Sequence, residues 1–218
     1  MGAAHGTFPL YTTFKESFHL FIEPLSENEE ALKKICEDCK GDYVIAAAGS
    51  SPGKVIIHVH DDYVGSSIYR EKEGEHVDGT PREVDCVTLD DLCEAKKLKG
   101  PYFIKIDVQG AELDVLNGST AILTDTEAVL LEASLFEFHF NEPQLYDIMV
   151  HMKKQGFALY DLTIGNYRLL DKALGQLDLV FVKENGMFRK QHHFADSQQR
   201  IELTERLLQN QRKKQGNI

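Results

Sequence analysis

No apolar run in this sequence approaches the roughly 20 residues that cross a bilayer as a helix, so no membrane span is expected. Nor does the start carry a charged segment followed by an apolar stretch, which leaves a secretory leader out of the reading. Basic charge is scarce as well. Lys and Arg number 24 against 35 Asp and Glu, a net charge of −11, and a nucleic-acid partner is excluded because such binders need a basic face. Cysteine is limited to Cys36, Cys39, Cys86 and Cys93. Cys36 and Cys39 are spaced as CxxC, yet the hydrophobic rhythm sets both on one helix, and no second pair or suitable histidine follows. They read as reduced thiols, and the expected compartment is the cytoplasm. Internal repeats and low-complexity segments are missing too.

What remains is ordinary globular sequence: 218 residues, 42% hydrophobic, are enough for one core. The charge is unevenly spread. Residues 189–218 hold seven Lys/Arg and three Asp/Glu, a local +4, which leaves −15 on residues 1–188. The chain therefore divides into a domain over 1–188 and a polar, basic helical tail over 189–218. The tail's sparse apolar face of Ile201, Leu203, Leu207 and Leu208 suits either solvent or the docking of a second copy as a homodimer.

Short apolar runs alternate with helical stretches, which predicts an α/β domain with a doubly wound, mainly parallel sheet. Strands are expected at Phe18–Ile22, Tyr43–Ala48, Lys54–Val59, Arg82–Val87, Tyr102–Val108, Ala128–Glu132, Phe157–Leu162 and Leu177–Val182, with Lys54–Val59 antiparallel. Ser26-x-x-Glu29 offers a capping box for a helix from about Asn28 to Cys39. Thr88-x-x-Asp91 starts a helix through Lys97, and Pro143–Gln155 is amphipathic, with Leu145, Ile148, Met149 and Met152 on one face. Residues 61–80 are polar and rich in glycine, a loop of the length that covers binding sites. Doubly wound sheets open with a buried strand feeding a glycine turn. Here the chain opens on the turn, Gly2-Ala3-Ala4-His5-Gly6, with no strand before it, so either the sequence begins late or the domain lacks its first strand.

Three places carry the chemistry. The opening turn, followed by a helix from Thr7 to about Lys15, sets backbone N–H groups where a ligand can lie against them. Glu23 ends the next strand, where nucleotide-binding sheets accept ribose hydroxyls with a carboxylate. In Phe103–Gly118, FIKIDVQGAELDVLNG, the strand ends at Asp107 and Glu112 enters the first helical turn, so both are expected to face the crevice at the carboxyl edge. Lys105 lies inside the apolar run and needs a counterion, with Asp107, Glu112 and Glu132 as candidates. Beyond Glu132, Phe136-Glu137-Phe138-His139-Phe140 is expected to lie over the crevice, with His139 a candidate general base. Asp107, Glu112 and Glu132 also offer oxygen ligands for Mg²⁺, but nothing in the spacing requires it and no metal is expected.

These residues resemble the FkbM family of S-adenosylmethionine-dependent methyltransferases. That family has a first turn like DxGANxGxxT, an acidic "FEP" strand end, and a block like LKIDVEGxExxVLxGA. The counterparts here are Gly2-Ala3-Ala4-His5-Gly6-Thr7, Phe21-Ile22-Glu23-Pro24 and Ile104–Leu113 with Val115-Leu116-Asn117-Gly118. The segments at 87–92, 130–132 and 178–182 agree in order, so the likeness runs from residue 2 to about 183. Two departures stand out: Gln109 replaces a common Glu, and the acidic residue and strand ahead of Gly2 are missing. The resemblance implies a Rossmann-like fold and O-methylation of a hydroxyl on a small-molecule or glycan acceptor. It implies that Gly2, Ala3, Gly6, Glu23, Ala47 and Asp107 line the S-adenosyl-L-methionine site, with Asp107, His139 and Glu112 as catalytic candidates. The acceptor would be selected by residues 61–80 and 134–142. Two alternatives stay open: an inactive methyltransferase-like interaction module, and an NAD-dependent oxidoreductase, for which no Ser/Tyr/Lys arrangement is evident.

Overall fold

The structure, a computed structural model, describes residues 1–4 and 6–215. The chain forms two compact units, residues 1–184 and 185–218. The first unit opens with α1 (Phe8–Thr13), β1 (His19–Glu23), α2 (Glu29–Asp38), β2 (Gly41–Ile45), β3 (Ala47–Ala48), β4 (Gly53–Val59) and β5 (Thr80–Val87). It continues with α3 (Leu89–Ala95), β6 (Tyr102–Ile106), α4 (Glu112–Asn117), β7 (Thr126–Ser134), α5 (Leu145–Lys154), β8 (Phe157–Tyr167) and β9 (Leu174–Lys183). The second unit carries α6 (Ser197–Gln215), a polar helix on which Ile201, Leu207 and Leu208 are exposed. Among the described residues no helix is long and apolar enough to cross a membrane.

The strands fall into three sheets, ordered β1-β2, β3-β5-β4 and β6-β7-β9-β8. Pairing is parallel for β1/β2, β3/β5 and β6/β7 and antiparallel for β4/β5, β7/β9 and β8/β9. The sheet is therefore mixed, not mainly parallel as the alternation of elements suggested. The cause is connection length. Only residues 168–173 join β8 to β9, too few for the crossover that a parallel pair requires, so the chain folds back as a hairpin. The strand expected over Tyr43–Ala48 is also divided: β2 pairs with β1, and after Ala46 the short β3 pairs with β5.

No strand among the described residues pairs with both β1 and β6. Instead the start of the chain reaches both: the Met1 nitrogen donates to the Lys105 carbonyl at 2.9 Å and the Ala3 N–H to the Ile22 carbonyl at 3.3 Å. This seats the opening turn at the carboxyl ends of two strands. The core beneath is continuous, built from Ile22, Ile104, Ile106, Val129, Leu131, Leu179 and Phe181 on strands, Val115 and Leu116 on α4, and Ile148 and Met152 on α5. The 3.6-residue period explains α5: Ile148 and Met152 are fully buried, each contributing about 1.5–3 kcal/mol by leaving water.

The helix starts follow their side chains. Thr88 caps α3 by accepting from the Asp91 N–H at 3.1 Å. The capping box expected at Ser26 and Glu29 does not form. A 3-10 turn covers Ser26–Asn28, and the Asn28 amide points instead to the Glu23 carboxylate. The four cysteines are free, and burial pushes the Cys36 thiol up to about 11.

Candidate active site

Gly2 (φ +60°), Ala4 (φ +40°) and Gly6 (φ +77°) all take left-handed backbone conformations, so the opening segment coils into a tight turn. Gly2 is required there: a Cβ at this position would stand 1.6 Å from the Asp107 carbonyl oxygen. The end of β6 and the opening turn thus touch backbone to backbone. His5 lies outside the described residues.

Glu23 ends β1 as its strand pattern foretold, but only 4% of it is exposed. Oε2 accepts from the Ala4 N–H at 2.8 Å, and Oε1 accepts from the Leu25 N–H and the Asn28 amide, both at 3.1 Å. A carboxylate offers about four acceptor positions, so these three donors leave one open, on Oε2. Ala47 is carried on β3 one residue beyond Ala46, whose N–H donates to the Glu23 carbonyl at 2.9 Å. The donor set fits a nucleoside cofactor in kind: a glycine turn, an acidic strand end bonded to it, and the Asp107 edge alongside.

At that edge Gln109 (φ +52°) and Gly110 (φ +95°) make the turn that follows β6. Asp107 has both oxygens engaged, Oδ2 with the Lys105 ammonium at 2.7 Å and Oδ1 with the Gln109 amide at 3.0 Å. Of the three possible counterions for Lys105, Asp107 is the one it meets. The same Gln109 nitrogen donates to Glu132 Oε2 at 3.3 Å, and Gln176 adds a second amide donor at 3.0 Å. The Glu132 carboxyl is pushed up to about 7, mainly by burial and then by the charges of Asp107 and Asp178.

Glu112 departs from the expected arrangement. It is 3% exposed, and Oε1 turns back to accept from the Val108 N–H at 3.1 Å and the Gly110 N–H at 3.4 Å. It braces the turn from inside while Asp107 occupies the open side. Burial raises its carboxyl to about 8. Among the described residues no group of three or more His, Cys, Asp or Glu side chains is arranged for a metal ion.

His139 belongs to a neighbouring cluster. It is 5% exposed, with Nδ1 3.1 Å from Glu142 Oε2 and Nε2 3.4 Å from Glu71 Oε1. Burial opposes charge on the ring, but the hydrogen bond and charge of Glu142 outweigh it, with Glu71 adding to them, and the His139 pKa is raised. Glu142 also accepts from the Ser134 hydroxyl at 2.6 Å and from the backbone N–H groups of Phe138 and His139. Its Cγ would lie 3.0 Å from a Cβ on Gly110, so the cluster backs directly onto the turn after β6. Two backbone bonds, Lys72 to Phe138 and Phe140 to Arg70, both 2.9 Å, tie the 61–80 loop to the aromatic segment. The loop is also pinned to the site: Ser67 donates to the Gln109 carbonyl at 2.6 Å and Tyr69 to Asp114 at 2.8 Å.

The structure thus gathers Gly2, Ala3, Glu23 and Asp107 at one edge, sets Glu112 inside the adjoining turn, and sets His139 behind it. The sequence presents Gln109 as an acceptor in place of a Glu, whereas its amide donates to two carboxylates, and Glu132 was not among the catalytic candidates, although its place near the end of an apolar strand was visible. Glu142 carried no signal: it follows an aromatic stretch at Asn141 and precedes Pro143, a context that reads only as a turn. The model of the methyltransferase FkbM domain matches residues 1–159 of the chain. Searches of curated proteins and of solved structures give no match.

Proposed function

The chain belongs to the FkbM methyltransferase domain family, and on that footing we propose that it moves a methyl group from S-adenosyl-L-methionine to a hydroxyl of a small-molecule or glycan acceptor. The observation that carries this reading is the convergence of the opening turn on two strand ends: Met1 bonded to Lys105, Ala4 to Glu23, and Gly2 packed on the Asp107 carbonyl. A doubly wound, Rossmann-like arrangement of β1-β2 and β6-β7-β9-β8 around that point is part of the same proposal, since ligands of open α/β sheets bind at such edges.

In this reading the sulfonium methyl of the bound cofactor is the group transferred. Gly2, Ala3 and Gly6 bring backbone against the methionine portion, and Ala47 lines the nucleoside side. Glu23 offers its remaining Oε2 position to a ribose hydroxyl while its other partners hold the carboxylate still. Asp107, fixed between Lys105 and Gln109, orients the reacting groups, which is where most of an in-line displacement's acceleration arises. Glu112 supports the turn and His139 the roof. The 61–80 loop and the 134–142 segment, bonded to each other, select the acceptor. The tail is proposed as a docking surface for a second copy.

One observation favours a second reading, a binding module without transfer: the Glu23 carboxylate already has three internal donors. Transfer of radiolabelled methyl from the donor to a panel of monosaccharides and simple alcohols separates the two. The enzyme reading expects labelled product that falls at least about 100-fold in Asp107→Asn with donor affinity nearly kept. Absence of label with every acceptor, together with no detectable binding of S-adenosylhomocysteine, would favour the module.

A further inference from the structure

The transfer needs a group that takes the acceptor's proton, and we infer that this group is Glu132, two residues before the carboxyl end of β7. The inference rests on the methyltransferase reading and assigns the base within that same site. In the β6/β7 ladder Ile106 stands opposite Leu131, so Asp107 and Glu132 follow as neighbours near the strand ends. Gln109 bridges them with one nitrogen, 3.0 Å from Asp107 and 3.3 Å from Glu132. On its other side Glu132 pairs in register with Asp178 of β9.

The two carboxylates are held differently. Asp107 takes the Lys105 ammonium, whereas Glu132 takes only neutral amides: Gln109 and Gln176 on Oε2, and Asn166 of β8 at 3.5 Å on Oε1. Oε1, with that single long contact, keeps room for an incoming hydroxyl. The charged and titratable groups around Glu132 are Lys105 on β6, Asp107 just beyond it, Asp178 on β9 and Glu112 on α4, whose own carboxyl the Glu132 charge helps to raise. Burial first, then the charges of Asp107 and Asp178, push the Glu132 carboxyl up to about 7 against the opposing charge of Lys105, into the range where a general base at neutral pH works best. His139 is less suited, because Nδ1 is held by Glu142 and Nε2 faces Glu71.

The step balances without any further reactant. The acceptor O–H bond breaks and its proton passes to Glu132 Oε1. The freed oxygen pair forms the bond to the methyl carbon as that carbon's bond to sulfur breaks, the electron pair staying on sulfur. Glu132 then loses its proton to water.

The test starts without an acceptor. In protein labelled with ¹³C at the glutamate carboxyl, NMR titration should find a carboxyl with its midpoint near pH 7 that is absent from Glu132→Gln and moves to lower pH in Asp107→Asn. Glu112, titrating near 8, should remain in both, moving to lower pH in Glu132→Gln because the Glu132 charge that helps to raise it is gone. In Glu132→Gln, label transfer to the monosaccharide and alcohol panel should fall at least about 100-fold, with S-adenosylhomocysteine affinity kept within about threefold. If no carboxyl between pH 6 and 8 is lost in Glu132→Gln, or if the variant transfers label at the wild-type rate, the assignment is overturned. A wild-type chain that does not bind S-adenosylhomocysteine overturns the transferase reading itself, and the role of Glu132 with it.

Discussion

Glu112 is as buried as the leucines around it, yet its carboxyl holds the turn after β6 through the Val108 and Gly110 N–H groups. Burial raises it from 4.5 to about 8 in the folded chain. The sign follows from proton binding. Below about pH 4.5 both folded and unfolded chains carry the proton, and stability is highest. Between about 4.5 and 8 the unfolded chain has released it while the fold retains it, so stability falls as pH rises. Glu112→Gln keeps an oxygen for Val108 and removes the ionisation. Its melting temperature should exceed wild type at pH 8 by about 2 °C or more and lose that advantage at pH 5, read by thermal melts at both values. Equal melting temperatures at pH 8 would mean that the carboxylate is accommodated without cost. At this scale the sequence was legible where alternation speaks: a lysine inside β6 had to find a carboxylate, and Asp107 was one of three candidates. It was silent where a side chain turns. Nothing local says that Gln109 reaches two carboxylates or that Glu112 faces inward, because those directions are set by the positive φ at Gln109 and Gly110.

Elements were read well wherever periodicity dominates. The apolar face of α5 puts Ile148 and Met152 at complete burial, so Met152→Ala should cost about 2–5 kcal/mol in urea unfolding, with an unchanged m-value. A loss under about 1 kcal/mol would mean that the site collapses around the smaller side chain. The cap at Thr88 was legible for the same local reason, because its hydroxyl meets an N–H only three residues on. The box at Ser26 was not, since Asn28 has a better partner across the chain in Glu23. Strand direction was the least legible feature. Alternation of strand and helix implies parallel pairing, and the short β8–β9 connection overrides it, whereas the antiparallel direction expected over Lys54–Val59 is the one found in β4. The break in the strand over residues 43–48 likewise depends on β3 finding β5, a contact about 40 residues away in sequence.

At the scale of the molecule, the first unit carries a continuous core and the second is a polar segment ending in α6. Deleting residues 185–218 should leave a first unit that still melts in one cooperative transition, since it holds a core of its own. If the tail docks a second copy, sedimentation should show a dimer for the full chain and a monomer after the deletion. Family ancestry was legible in Ile104–Leu113, because a strand, a turn and a helix start are written there in consecutive residues. The completeness of the cofactor site was not, since it depends on how residues 1–4 meet β1 and β6 in space. The central claim is that this convergence binds the methyl donor. Calorimetric titration of the full chain with S-adenosylhomocysteine tests it most directly, with Gly2→Ala alongside because a Cβ there collides with the Asp107 carbonyl. The account predicts saturable one-to-one binding that weakens at least about tenfold in Gly2→Ala. No heat of binding in the wild type, or equal affinity in both chains, would contradict it.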